Sequence, residues 1–329
     1  MSGVSILYVC LDTRFLIFLL FMIKTSEYKS FIQQQAYDLG FSYIGFAKAE
    51  ELTAEAKRLE AWLSKGYHGQ MHYMENYFDL RTDPRKLVPD AKTVVTMMFN
   101  YFPEKEQNEE APKIARYAYG KDYHFVLKRK LKDLLESIQE EIGEVSGRCF
   151  VDSAPIMERE WAKRSGVGWH GKNTLIINPK AGSYFFLACL VFDLEIEPDP
   201  PLKDYCGTCT KCIDACPTDA ISEEGYLLDA SKCISYLTIE LKESIPTEFK
   251  GKMEDWMFGC DICQEVCPWN RFSQKNEEPW FEPHPDLLTM NHRDWEEITE
   301  ETFRKVFKKS AVKRTKYAGL KRNIDFLGR

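Results

Sequence analysis

The sequence predicts a mixed helix-and-strand chain of two or three domains, and three observations carry that reading. The chain has 329 residues, 44% apolar and 29% charged, enough to bury a substantial core at roughly 100–200 residues per domain. Helical and strand-like periodicities alternate before the proline-rich stretch EIEPDPPLKD, residues 195–204, which reads as a domain boundary. Beyond it, cysteines crowd together and the chain ends in a basic tail. The net charge of −7 excludes a wholly basic nucleic-acid coat and is compatible with a local basic patch.

Phe31, Ile32, Ala36 and Leu39 recur at helical spacing until Gly40 stops the helix, and a short strand is expected over 43–46. This order resembles an α/β opening. A second helix is expected over 54–63, ending at Gly66, and the β-branched run 93–99 reads as a buried strand. The acidic stretch EKEQNEE, 104–110, reads as an exposed loop. Residues 125–142 form a long amphipathic helix with Leu127, Leu131, Leu134, Leu135 and Ile138 on one face. Asp122 reads as its cap and His124 as a surface histidine. Asp152, Ser153 and Pro155 give the start signal of another helix, with Asp152 as N-cap, Lys163 and Arg164 in the last turn and Gly166 as its stop. Strands are expected over 175–177 and 184–192.

At the N-terminus, the apolar run 15–23 is too short to span a bilayer, follows Asp12 and Arg14, and precedes no small-residue cleavage site. The soluble pattern begins just after Met22. Translation is therefore expected to start at Met22, with residues 1–24 an extension, and the protein to work in the reducing cytoplasm without a membrane.

Eight of the eleven cysteines lie between positions 206 and 267. Cys206, Cys209, Cys212 and Cys216, written CGTCTKCIDACP, form the C-x2-C-x2-C-x3-C-P run of a bacterial two-cluster ferredoxin. GCDICQEVCP repeats the ending with Cys260, Cys263 and Cys267, and Cys233 supplies the displaced first ligand. Eight thiolates suit two [4Fe-4S] clusters. In such proteins the fourth cysteine crosses over, so one set is Cys206, Cys209, Cys212 and Cys267, the other Cys216, Cys233, Cys260 and Cys263. Zinc fits the three-cysteine spacing and C-P endings poorly. Cys10, Cys149 and Cys189 stand apart.

Gly166, Gly168 and Gly171 match G-x-G-x-x-G, but a helix precedes them and a strand follows, the reverse of a dinucleotide fingerprint. The near P-loop ending at Lys172 and Asn173 lacks the Mg²⁺-binding hydroxyl. The glycine turn still allows close approach of a large cofactor. The tail from Arg304 carries ten Lys and Arg against one acid, Asp325, a polarity that fits phosphate binding.

DYH (122–124), VDSAPIMERxWAxRSGxGWxGKNT (151–174), CGTCTKCIDACPT (206–218), CISYLTIE (233–240) and GCDICQEVCPWN (259–270) together resemble the epoxyqueuosine reductases, over about residues 28–323. The resemblance implies a cobalamin-dependent oxidoreductase that converts epoxyqueuosine to queuosine in the tRNA anticodon, with two [4Fe-4S] clusters reducing the cobalt. It implies an α+β fold: a nitroreductase-like cobalamin-binding catalytic domain over 25–200, a ferredoxin-like two-cluster domain over 201–275 and a helical basic tRNA-binding segment over 276–329. The family's proton donor maps onto Asp152. Asn173, Thr174, Ile176 and Ser183 are the candidates for the cofactor pocket, and Lys309, Lys313, Arg314, Lys316 and Arg322 for tRNA. A low-potential electron donor and a monomer are expected. Two departures stand out: many members carry a further helical-repeat domain after the basic tail, and D-x-H-x-x-G, which supplies a cobalt ligand elsewhere, is absent. The alternatives are a reductive dehalogenase-like enzyme, disfavoured because no twin arginine lies near the N-terminus, and a non-catalytic ferredoxin-like carrier, for which the chain before the clusters is too long.

Overall fold

The computed structural model describes residues 13–328, with side chains from residue 24 onward. Cys10 and the expected start at Met22 lie outside the residues whose side chains are described. Helix α1 (Thr13–Asp38) begins well before the expected position and ends at Gly40, whose φ of 90° only glycine adopts readily. Strand β1 (Ile44–Lys48), helix α2 (Thr53–Ser64), the short helices α3 (Phe78–Thr82) and α4 (Pro84–Leu87) and strand β2 (Thr93–Asn100) follow. Next come β3 (Lys113–Ile114), α5 (Tyr123–Ile142), β4 (Gly147–Phe150), α6 (Glu158–Arg164), β5 (Trp169–His170), β6 (Ile176–Ile177) and β7 (Phe185–Phe192). Among the described residues no helix is long and apolar enough to cross a membrane.

β1, β2, β7 and β4 form one sheet in that order, every pair antiparallel. An α/β opening implies parallel strands, so that expectation is corrected: the arrangement is α+β. The apolar run of β2 is continuous because both faces of the sheet are covered. Val95, Met97 and Phe99 point toward Ile32 of α1 and Leu127, Leu131, Leu134 and Ile138 of α5, all in one core. Val94 belongs to the core with Trp161 on the opposite face, and Met98 packs with Ala162 there. Each such leucine contributes roughly 1.5–3 kcal/mol by burial, which fixes α5 and the loop at its N-terminus against the sheet.

After the irregular connection at 195–205 come α7 (Lys211–Asp214), α8 (Ile234–Ile239), β8 (Trp256–Phe258) and α9 (Ile262–Glu265). The C-terminal part is helical: α10 (Pro285–Thr289), α11 (His292–Glu296), α12 (Glu300–Val306) and α13 (Lys316–Leu327). These bodies interlock. β3 pairs with β8, and Ile114 and Tyr119 share a core with Trp295, Phe303, Phe307 and Leu320. Phe281 enters the core of the antiparallel sheet. Arg116 pins the cysteine-bearing segment from the other side, meeting Asp261 at 3.4 Å and Glu265 at 2.6 Å.

Candidate active site and cluster centre

Asp152 does not cap a helix. Its φ is 54°, α6 starts only at Glu158, and Met157 occupies the N-cap position. The signal Asp-Ser-x-Pro instead makes a tight loop after β4, in a conformation that costs a non-glycine residue energy and recurs at functional sites. Glu158 holds that loop, its Oε1 accepting from the Asp152 amide at 2.6 Å.

The Asp152 carboxylate receives two side chains from the start of α5. Its Oδ2 accepts from the Tyr123 hydroxyl at 2.8 Å and lies 3.2 Å from His124 Nε2. On the other side of the ring, Nδ1 lies 2.7 Å from Asp122 Oδ1, and Asp122 also caps α5 as the sequence indicates. The expected surface histidine is thus an imidazole clamped between two carboxylates. Tyr123 stacks on Phe186 with ring centroids 4.2 Å apart, which fixes the hydroxyl. Residues 122–124 and 152 are far apart in sequence, and only the closure of α5 on β4 joins them.

The electrostatics follow. Burial alone lowers the pKa of His124, but hydrogen bonds and charges from Asp122 and Asp152 raise it to about 9. Burial alone raises that of Asp152, yet hydrogen bonds from His124 and Tyr123 hold it below the usual carboxylate range. Glu158 is pushed up to about 8, by burial first and then by the charge of Asp152. These opposite shifts favour a protonated His124 beside an ionised Asp152 in the protein by itself.

These shifts predict a pH dependence of stability. His124 binds its proton more tightly folded than unfolded, so its contribution is complete below its ordinary 6.5 and is lost as pH rises through about 9. The raised pKa of Glu158 acts in the same direction between 4.5 and about 8. The melting temperature is expected to fall between pH 6.5 and 9, and His124→Gln to flatten the slope. A wild-type melting temperature constant over that window would contradict the clamp.

Seven of the eight cysteines fall in the short helices and turns around α7 and α9, which pack against each other, and Cys233 caps α8. Burial raises the thiol of Cys267, and the charges of Cys206 and Cys209 act on it in the same direction. Cys212 is pushed to about 11 by burial, then by Cys206, Cys267 and Cys209. Burial likewise raises Cys233, which also feels Cys216, and Cys263, which feels Cys233, Cys212 and Cys216. Such thiols bind metal by releasing protons. Trp169 donates from Nε1 to Cys206 Sγ at 3.5 Å, and Lys172 Nζ donates to the carbonyls of Gly207 and Cys209 at 2.8 and 3.0 Å.

Of the residues expected to line a cofactor pocket, all but Thr174 are held inside the fold. Asn173, Ile176 and Ser183 are buried. Asn173 donates to the Cys263 carbonyl at 3.2 Å, and Ser183 is tied to Asn270 and Gln264. Asn173 and Ser183 join the glycine turn and the sheet to the cysteine segment, a role invisible in the sequence because the partners are 81–90 residues away. Thr174 is half-buried with φ 64°, and its carbonyl accepts from Arg159 at 3.1 Å.

The basic residues divide similarly. Lys309, Lys313 and Lys316 are exposed. Arg314 pairs with Glu240 at 2.7 Å and lies close enough to Asp152 to lower its pKa, which places it at the edge of the acid site. Arg322 donates to the carbonyls of Leu237, Leu241 and Glu243, which makes it a strut under α8. Arg322→Ala is expected to destabilise the fold by about 1–3 kcal/mol, the cost of leaving such carbonyls unpaired. Lys313→Ala should leave stability unchanged. Urea melts of the two variants check this.

The chain matches the family model "Epoxyqueuosine reductase QueG, DUF1730" over residues 81–153 and a 4Fe-4S double cluster binding domain over 205–270. It is 58% identical to an epoxyqueuosine reductase of Cellulophaga algicola over 301 residues, covering 92% of this chain and 98% of the relative. Among solved structures, it is similar to an epoxyqueuosine reductase with an epoxyqueuosine-modified tRNA-Tyr stem loop, at 32% identity and TM-score 0.82, covering 92% of this chain and 81% of that one. It is also similar to the Bacillus subtilis epoxyqueuosine reductase with its catalytic aspartate loop swung out of the active site, at 30% identity and TM-score 0.82, covering 92% and 81%. An identity of this size along almost the whole of a relative, together with the double-cluster match on the cysteine segment, shows that the chain belongs to the epoxyqueuosine reductase family.

Proposed function

We propose that the chain reduces epoxyqueuosine in a tRNA anticodon to queuosine, with Asp152 delivering the proton to the epoxide oxygen. Family membership supports the reaction, and the observation that carries the residue assignment is the contact of the Asp152 carboxylate with His124. Removing the epoxide oxygen as water consumes two electrons and two protons and leaves an alkene. An alkoxide is a poor leaving group unless it is protonated as the C–O bond breaks, so an acid must stand beside it. His124 stores that proton 3.2 Å from Asp152 Oδ2. Asp152 relays it, Tyr123 orients the carboxylate, and Glu158 keeps the loop in place. The aspartate and histidine titrate as one unit, and the apparent pKa values belong to the pair.

Cys206, Cys209, Cys212 and Cys267 would hold one cluster and Cys216, Cys233, Cys260 and Cys263 the other, an assignment supported by the charges of Cys206 and Cys209 acting on Cys267 and that of Cys216 acting on Cys233. Cobalamin is the further cofactor that the resemblance implies. The partly exposed turn at Thr174, tied through Arg159 to α6 and braced by Asn173, would offer the polar rim such a group needs, with Ile176 and Ser183 its further candidates. When bound, cobalamin supplies low-potential electrons to the epoxide. The division into catalytic (25–200), cluster (201–275) and basic (276–329) parts is read as one of roles, since the three share cores. Cytoplasmic location, a monomeric state and an external low-potential donor belong to the same reading.

Anaerobically reconstituted protein, given cobalamin, a chemical reductant and an epoxyqueuosine-modified anticodon stem-loop, should yield queuosine by nucleoside mass analysis. Full cluster loading and stem-loop binding with no queuosine formed would overturn the reading.

A further inference from the structure

A cleft of about 590 Å³ opens at the N-terminal end of α5, bounded by Glu278, Trp280 and Lys309. Its volume suits a nucleotide-sized ligand. Asp122 forms part of its wall, so the cleft begins at the outer end of the Asp122, His124 and Asp152 chain. Two aromatic residues line it. Trp280 is 44% exposed, but the Lys121 ammonium sits 3.2 Å from the centre of its ring. Phe125 is 72% exposed, the most exposed large apolar side chain among the described residues, and it stacks on no other ring there.

The charge around that open ring is positive. Glu278 is paired with Lys130 at 2.9 Å and Asp122 with His124. Of the remaining charged residues of the lining, one is an acid, Asp133, and three are cations, Lys121, Arg129 and Lys309. An exposed apolar ring among cations, beside a catalytic group, matches what an unpaired nucleotide needs: a face for the base and cations for its phosphates. We propose that this cleft takes an unpaired nucleotide of the substrate RNA other than the modified one, its base stacked on Phe125 and its phosphate held by Arg129 and Lys309. The proposal rests on the tRNA-substrate reading above.

The test is an anisotropy titration of cluster-loaded protein with the modified anticodon stem-loop and with stem-loops carrying one abasic loop position each. Phe125→Ala should weaken binding by about 5- to 150-fold, the range measured for loss of one stacked base. Arg129→Gln should reduce the slope of log affinity against log salt by about 0.7, one single-strand phosphate contact. One abasic position should weaken wild-type binding and add nothing to Phe125→Ala, the signature of a shared contact. Both side chains are exposed, so iron content and melting temperature should stay at wild-type values. Wild-type affinity in both variants overturns the cleft and leaves the RNA reading standing. Additive losses at every abasic position overturn the stacking. Failure of the wild type to bind any stem-loop overturns both readings.

Discussion

Asp152→Asn is expected to slow turnover of the modified stem-loop by about 10² to 10⁴, the usual worth of a general acid, with cluster content and stem-loop affinity retained. Asparagine keeps the size and one acceptor oxygen, so Tyr123 can still donate and the Glu158 contact, made to the backbone amide, is untouched. What disappears is one of the two negative charges, that of Asp122 being the other, that hold the proton on His124. A second readout separates a proton-relay role from a structural one. Losing the partner charge should bring the His124 pKa down from about 9 toward its ordinary value, observable by titration of its ring resonances. Normal turnover in Asp152→Asn would remove the residue from the proton path. Asp122, at the far side of the same ring, would then be the first candidate.

Cys267→Ala is expected to remove one cluster, and with it nearly all turnover, because a single missing link interrupts electron delivery. The cluster lost should be the one held by Cys206, Cys209 and Cys212. Cys267 lies in the second cysteine run, next to Cys260 and Cys263 in sequence, but its electrostatic neighbours are Cys206 and Cys209. Iron analysis should fall from about eight to about four per chain, with the spectroscopic signal of the Cys216, Cys233, Cys260 and Cys263 cluster preserved. Loss confined to that second cluster would refute the crossed assignment.

The sequence alone determined the features written in local patterns. The α5 helix and the β2 strand follow from their apolar periodicity, and the cluster segment follows from thiol spacings that few other sites share. The quoted motifs likewise identified the family before any fold was known. Local patterns failed where a residue's role is set by distant chain. Asp152 reads as an N-cap because Asp-Ser-x-Pro is an ordinary helix start, yet positive φ and the Glu158 contact turn it into a loop facing α5. His124 reads as a surface side chain until packing of α5 on the sheet brings Asp152 to its ring. Asn173 and Ser183 read as polar groups awaiting a cofactor, and Arg322 as one more tail cation, until the cysteine segment and α8 supply their partners. Spacing encodes which metal and which helix face, because those depend on near neighbours along the chain. Protonation and partner choice depend on burial and charge across the fold, and only the tertiary structure decides them.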